Sequence, residues 1–482
     1  MYPVRKEADM HKVLIIFLVV ASLAGCMMGP NYKRPEVDVP QSFRYDDGQA
    51  SDIADSTWWK QFNDPVLDQL IADALAHNKS VQIATANVER ASGILTTTRS
   101  ALFPQINYSG NWVRQRLSDN NVTRPPTWNP YNNFQALGGA SWEIDLWGRI
   151  RRLTEAAQAN LLATIEARRG VILSLTAEVA ASYIQLRALD EQLIIARNTL
   201  KTYGESVKLF ELQNRYGQVS GMTVEQARSQ YETAAAQIPQ IETQIAQMEN
   251  ALSILLGRNP TPIPRGRRLS ELNTPVVPSS LPSTLLERRP DILQAEQNLI
   301  AANAQIGAAR ALYFPSISLT GAAGASSEDL SNLFLGSSRT WNFTGSVIGP
   351  IFTAGGISGQ VRQAEASQQA ALRAYEQTIQ AAFADMENAL VSRQKLAEQL
   401  IAEEKRVSAY KEYARLADLQ YNGGYTPYLT VLNAQQQLFP AELSSIQTRA
   451  ATFTSVVNIY KAMGGGWVAE ADNLTQAGPA AK

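Results

Sequence analysis

One residue in this chain sits where covalent chemistry is expected: Cys26, the sole cysteine. It follows a basic start (Arg5, Lys6, His11, Lys12) and the apolar run Val13 to Ala24, with Gly25 directly before it. That run is shorter than the ~20 apolar residues a spanning helix needs, so residues 1–25 read as a secretory signal ending at an acceptor thiol. Little other chemistry can be assembled. With one cysteine the chain closes no disulfide of its own and builds no soft-ligand metal site. Of its two histidines only His77 lies beyond the signal, and it reads as a polar residue at a helix end. Nucleophilic or metal-assisted catalysis needs converging partners that it lacks, so no enzyme activity, cofactor or metal is expected. A formal net charge of −1 over 482 residues gives no bulk charge pointing to nucleic acid.

The residues Leu23-Ala24-Gly25-Cys26 resemble the bacterial lipobox, in which the cysteine takes up fatty acyl chains such as palmitate and becomes the first residue of the mature protein. Met27 follows it rather than aspartate, which by resemblance to sorted lipoproteins favours the outer membrane. Residues 26–62 begin CMMGPNYKRPEVDVPQSF, rich in proline and polar side chains, and read as an extended tether.

What the tether holds is written twice. RSALFPQINYSG (Arg99 to Gly110) returns as RALYFPSISLTG (Arg310 to Gly321), and each copy is preceded by a helix-like run that breaks into a strand at Phe-Pro. Downstream, RYGQVSGMTVEQA (Arg215 to Ala227) matches NGGYTPYLTVLNA (Asn422 to Ala434). The order helix, strand, strand, long helix, turn, long helix thus occurs twice, at a period of about 200 residues, too long for a solenoid. The first copy takes residues 63–259, a Pro-rich extended connector 260–284, the second copy 285–466 and a tail 467–482. Asp64-Pro65 opens a helix whose Leu67, Leu70, Ile71, Ala74 and Leu75 share a face, against which Trp58 and Trp59 should pack.

Strands are expected near 104–116, 134–146, 315–325 and 339–350. Ile106, Tyr108 and Trp112 alternate with Asn107, Ser109, Asn111 and Gln115; Phe134, Ala136, Ala140, Trp142, Ile144 and Leu146 alternate with Gln135, Gly139, Ser141, Glu143 and Asp145. In the second copy Ile317, Leu319, Trp341, Phe343 and Val347 face away from Ser316, Ser318, Thr320, Asn342, Thr344 and Ser346. Each strand has about the length that crosses a bilayer at a tilt. A half-buried soluble sheet competes with a membrane barrel, and the polar face together with the long polar loops favours the barrel. A bilayer tolerates no open edge, while one chain supplies about four strands where barrels begin at roughly eight, so several chains must close one barrel.

Two proline-free runs, Arg149 to Arg215 and Gly359 to Tyr421, would each make a helix close to ~100 Å long at ~1.5 Å per residue. Each turns (Tyr216 to Gly221, Asn422 to Pro427) and returns through a limb in which Pro239 or Pro440 should kink or break the helix. Faces rich in Ala, Ser and Gln suit close helix approach with one side wet. The charge run Glu403-Glu404-Lys405-Arg406 reads as a solvated face with local pairs.

The segments CMMGPNYKRP, WWKQFNDPVLDQLIADAL, RRPDILQAEQNLIAANAQIGAARALYFPSISLTG and YLTVLNAQ together resemble the TolC-like outer-membrane factors, in their OprM-like (NodT-type) lipoprotein branch. The resemblance covers essentially the whole mature chain. It implies an α+β membrane protein: a homotrimer whose transmembrane β-barrel, four strands from each chain, totals about twelve and continues as a long periplasmic α-helical barrel. It implies as partners outer-membrane lipid, a periplasmic adaptor and an inner-membrane pump of the resistance-nodulation-division class, exporting drugs, dyes, solvents or metals from a Gram-negative cell. Function is then passive conduction through a gate. By the same resemblance Gly217, Val219, Ser220, Gly424, Tyr425 and Thr426 form the tips that meet the adaptor, and Leu429 and Asn433 narrow the periplasmic mouth. Family members commonly carry aspartate where this chain has Asn433, so a ring here would be steric and hydrogen-bonded rather than charged. Arg215, Asp418 and Tyr421, next to the tips, are candidate closing links. Opening would be a shift of the tips driven by an adaptor that binds the open state better. A type I protein-secretion channel has the same architecture and stays open as an alternative. An adaptor would show one hairpin between β-rich modules, not two hairpins with four bilayer-length strands.

Overall fold

The computed structural model describes residues 27–45, 57–118, 120, 129–276 and 282–464; Cys26, the signal and the tail 467–482 lie outside the described residues. The elements, in chain order, are α1 (Pro65–His77), α2 (Lys79–Ser100), β1 (Gln105–Gln115), β2 (Tyr131–Ile144), α3 (Arg149–Arg215), α4 (Gly221–Leu255), α5 (Pro282–Arg288), α6 (Pro290–Ala311), β3 (Ser316–Ser327), β4 (Arg339–Ile348), α7 (Gly356–Asn422) and α8 (Tyr428–Ala462). The duplication is metrical: α2 and α6 have 22 residues each, α3 and α7 have 67, and α4 and α8 have 35. Two compact units result, one of Met1–Glu36, Val88–Thr164 and Ala295–Tyr375, the other of Val37–Asn87, Ile165–Gln294 and Glu376–Lys482.

The first unit carries one antiparallel sheet in the order β1-β2-β3-β4. Its register sets Trp112 opposite Phe134, Trp142 opposite Leu319 and Phe343 opposite Gly321, so the apolar residues of all strands share one face. That face is bare: Ile106 is 84%, Tyr108 93%, Trp341 79% and Phe343 68% exposed. Among the described residues none covers these four side chains. β2 begins three residues earlier than the alternation predicts and stops at Ile144, so Leu146 is in a turn. The reason is Asp145, whose carboxylate accepts from Ile150 N (3.0 Å) and Arg151 N (2.8 Å), capping α3 instead of extending the polar face. At the sheet's base Trp147 stacks on Phe314 at 4.6 Å and donates to Pro315 O at 2.8 Å. The tether is no loose strand here. Buried Arg152 donates to Met28 O (3.0 Å), Gly29 O (3.3 Å) and Asn31 Oδ1 (2.9 Å), and Asn303 Nδ2 donates to Pro30 O (3.0 Å).

In the second unit Trp58, Trp59 and Phe62 are buried against the predicted face of α1 and the middle of α3. Asp64 caps α1 by accepting from Val66 N at 2.9 Å; its other oxygen accepts from Tyr183 Oη (2.8 Å) and Arg267 N (3.0 Å). The first part of the connector is therefore packed rather than free, with Ile263, Leu269 and Leu272 in the core. Each helix-like run before Phe-Pro is two helices, divided at Asn78, whose side chain accepts from Ser80 N and Val81 N, and at Arg289. Neither Pro239 nor Pro440 breaks its helix. Near Pro440, Tyr203 Oη donates to Gln435 O at 3.2 Å, tying α3 to α8. The charge run also differs from expectation: Glu403 is buried and accepts from Gln399 and Ser444, while Glu404 pairs with Arg449 across to α8 at 2.7 Å.

Candidate functional site

The two helical turns of the second unit are built alike. At the end of α3, Gly217 N bonds Asn214 O and Gln218 N bonds Gln213 O, both at 2.9 Å; after α7, Gly424 N bonds Tyr421 O and Tyr425 N bonds Gln420 O, again at 2.9 Å. This double bond pattern needs a left-handed residue just past the helix, and Gly217 (φ 71°) and Gly424 (φ 76°) supply it. The exits differ. Ser220 Oγ accepts from Thr223 N at 3.3 Å to start α4, and Asn214 Nδ2 donates to Val219 O at 2.8 Å, whereas Pro427 leads into α8 with a preset φ.

Behind the turns Phe210, Val224, Ala227, Ala417, Tyr428, Val431, Leu432 and Ala434 form one buried cluster, with Val219 and Tyr421 packed on its edge. The rings of Phe210 and Tyr421 are 6.2 Å apart and those of Tyr421 and Tyr428 5.6 Å. Burial raises the Tyr428 hydroxyl above its ordinary pKa, with Ser206 hydrogen bonding opposing the shift. Residues from both hairpins thus share a core. Of the expected tip residues, Gly217, Ser220, Gly424 and Tyr425 are exposed, Tyr425 to 85%, while Val219 and Thr426 are half-buried. Tyr216 and Met222, exposed to 72% and 68%, belong to the same surface and were not singled out from the sequence.

Leu429 and Asn433 are both exposed and stand four residues apart on one face of α8, so their side chains are neighbours on an outward stripe. The candidate closing links fare unequally. Arg215 is exposed at the end of α3, and Asp418 is exposed and accepts from Asn422 Nδ2 at 3.2 Å within its own helix. Tyr421 is committed to the aromatic cluster. Phe210 and Tyr428 went unnoticed in the sequence, although the pair Tyr421 and Tyr428, flanking the turn, was a signal for such a cluster. His77 is the last residue of α1, its Nδ1 3.0 Å from Asp73 O. Among the described residues no group of three or more His, Cys, Asp or Glu could hold a metal ion.

The model of the family described as outer membrane efflux protein matches residues 70–258 and 281–465, which are the two copies. The toluene efflux pump outer membrane protein TtgC of Pseudomonas putida is 38% identical over 475 residues, covering 97% of this chain and 98% of that protein. The cation efflux system protein CusC of Escherichia coli K12 is 35% identical over 461 residues, covering 94% and 99%. Among solved structures, the open state of the Neisseria gonorrhoeae MtrE outer membrane channel superposes with a TM-score of 0.84 at 34% identity, covering 92% of this chain and 99% of that one. With both copies matched and relatives of this identity aligned nearly end to end, the chain belongs to the outer membrane efflux protein family.

Proposed function

We propose that this outer-membrane efflux channel protein works as one third of a homotrimer, conducting small molecules passively from an adaptor and an inner-membrane pump to the exterior. The observation that carries the assembly is the sheet: four strands with two unpaired edges, polar on one face and bare and apolar on the other. Hydrocarbon accepts such a face but no open edge, and known barrels start at about eight strands, so copies of β1 and β4 from neighbouring chains must meet. Acylated Cys26 would add a second hold on the same membrane.

The gate we assign is the stripe Leu429 and Asn433, carried on the helix that starts at the second tip. Three copies would give an apolar ring and an amide ring without fixed charge. Adaptor contact at Tyr216, Met222 and Tyr425 would shift the tips, whose shared core couples both hairpins. Efflux, by a pump of the resistance-nodulation-division class, is favoured over protein secretion because the relatives' names specify toluene, antibiotic and cation efflux.

The test is conductance in a planar bilayer with the oligomer mass measured alongside. A trimer with small native conductance, enlarged by Leu429→Ala with Asn433→Ala, supports the reading. A folded, acylated monomer without channel activity refutes it.

A further inference from the structure

The apolar face of the sheet is not flat. Its register builds two rows across the strands: Ile106, Ala140, Gly321 and Phe343 in one, Tyr108, Gly138, Ala323 and Trp341 in the next. In each row large side chains on β1 and β4 flank small ones on β2 and β3, so a groove with aromatic and aliphatic walls runs along the middle of the face. Its floor is open. Gly138, Ala140 and Ala323 are exposed, and a Cβ built on Gly138 would meet only Ala323 O, at 3.8 Å. One row nearer the base, Trp142 and Leu319 stand opposite each other but lean apart. The Trp142 indole N–H donates to Leu102 O (3.0 Å), just ahead of β1, while Leu319 Cδ2 lies 3.7 Å from the Cβ position of Gly345 on β4. The groove therefore continues between them to Ile144 and Ile317, the last pair of the β2 and β3 ladder.

The tether ends at the same base. Met28 N donates to Trp147 O at 3.1 Å, and a Cβ on Gly148 would fall 3.1 Å from Met27 Cα. Trp147 and Gly148 follow directly on the end of β2. The docking is fixed further along by Arg152, by Gly29, whose Cβ would run into Gly307 Cα, and by Tyr32, which donates to Glu296 at 3.1 Å. A trans peptide sets the Cα of Cys26 about 3.8 Å from that of Met27. Any chain attached at its sulfur thus starts at the foot of the groove.

We infer that an acyl chain carried by Cys26 lies in this groove, along β2 and β3 over Ala140, Gly138, Gly321 and Ala323. Half of a hydrocarbon core is about 15 Å thick, which at a tilt of about 45° spans roughly six residues of strand. Six residues up β2 from Ile144 is Gly138, so both rows lie within reach of a chain confined to one leaflet. In lipid, one hydrocarbon gains nothing over another by leaving water, and fit and tethering decide which one occupies a slot. A chain attached at the foot outcompetes free lipid through its effective concentration. The inference rests on the acylation and the membrane-spanning sheet proposed above and adds where the anchor runs.

Photocrosslinking tests it. The full-length chain is expressed in cells fed a diazirine-bearing palmitate analogue, irradiated in its own membrane, purified, digested and read by mass spectrometry. A link from the protein's own anchor joins the Cys26 peptide to a second peptide, whereas a link from free lipid leaves a phospholipid remnant. The native chain is expected to join Cys26 to segments 136–144 and 317–325. Ala140→Leu with Ala323→Leu fills the floor with side chains that lipid also accepts, so most of those links should be lost. Gly110→Leu, on β1 with nothing within 4 Å of its Cβ position, should keep them. Links that survive the two leucines, or an acylated Cys26 peptide whose links scatter over β1 and β4 or never reach the chain, overturn the groove and leave the anchor standing. A Cys26 peptide without acyl mass overturns both.

Discussion

The rings of Phe210 and Tyr428 lie 4.1 Å apart, centroid to centroid, and join the last turns of α3 to the first turn of α8. Because both are buried behind the two turns, this contact is where the hairpins hold one another. Truncating a buried phenylalanine costs about 3 to 5 kcal/mol, and here the loss falls on the tips rather than on the distant core of the Trp58 cluster. Phe210→Ala is therefore expected to raise basal conductance and to open the turns near Gly217 and Gly424 to limited proteolysis, with Phe210→Leu milder. Unchanged conductance and cleavage in Phe210→Ala would remove the coupling role.

The two tip glycines make a paired prediction. Gly217 and Gly424 both hold a left-handed φ, with nothing crowding either one, so an added side chain meets backbone strain alone. Gly217→Ala and Gly424→Ala should each destabilise the chain by about 1 kcal/mol. Gly221, which opens α4 with open space around it and no left-handed φ, should accept alanine without loss. Denaturant midpoints of the three variants check this directly.

These contrasts mark what could be read from sequence. The repeat, the strands and their faces were legible because alternation and Phe-Pro breaks are local, and the paired glycines because a tight reversal needs them. The ring contact was not: its partners are more than two hundred positions apart, and no local pattern joins them. Glu403 is hidden for the same reason, since its partner Ser444 comes from the returning helix. The alternation carries the strand on to Leu146 because Asp145 fits it, and only the bonds of Asp145 to Ile150 N and Arg151 N reveal a cap. The left-out tip residues Tyr216 and Met222 differ from ordinary surface apolar side chains only in where the fold presents them.

Alkaline pH should loosen the helical unit through its buried tyrosines. Burial lifts the Tyr203 hydroxyl from its ordinary 10.0 to about 12, with Tyr428 and Glu442 nearby adding to the shift. Below pH 10 the phenol is protonated folded or unfolded, and the preference for the folded state is complete. Between about 10 and about 12 the unfolded chain releases the proton while the folded one keeps it, so stability falls by roughly 1.4 kcal/mol per pH unit from this group. Tyr203→Phe removes that component together with the bond to Gln435 O. Its melting temperature should be lower than native near neutrality and decline less steeply above pH 10. Parallel melting curves for the two proteins would contradict the assignment.

Asn433 leads to a prediction that separates size from charge at the mouth. It is exposed one turn beyond Leu429 on α8, and in the proposed trimer three copies would face one opening. The amide and carboxylate are nearly the same size, so Asn433→Asp leaves the steric opening almost unchanged while adding three negative charges. Cations should then be drawn to the mouth and anions repelled, and the effect should weaken as salt shortens the screening distance from about 10 Å at 0.1 M to about 3 Å at 1 M. Reversal potentials across a potassium chloride gradient would shift toward the cation value at low salt and return at high salt, with total conductance little altered. A variant with native reversal potential would place Asn433 away from the narrowest passage. The Leu429→Ala change should do the converse, enlarging conductance without altering ion preference, because it removes volume and no charge.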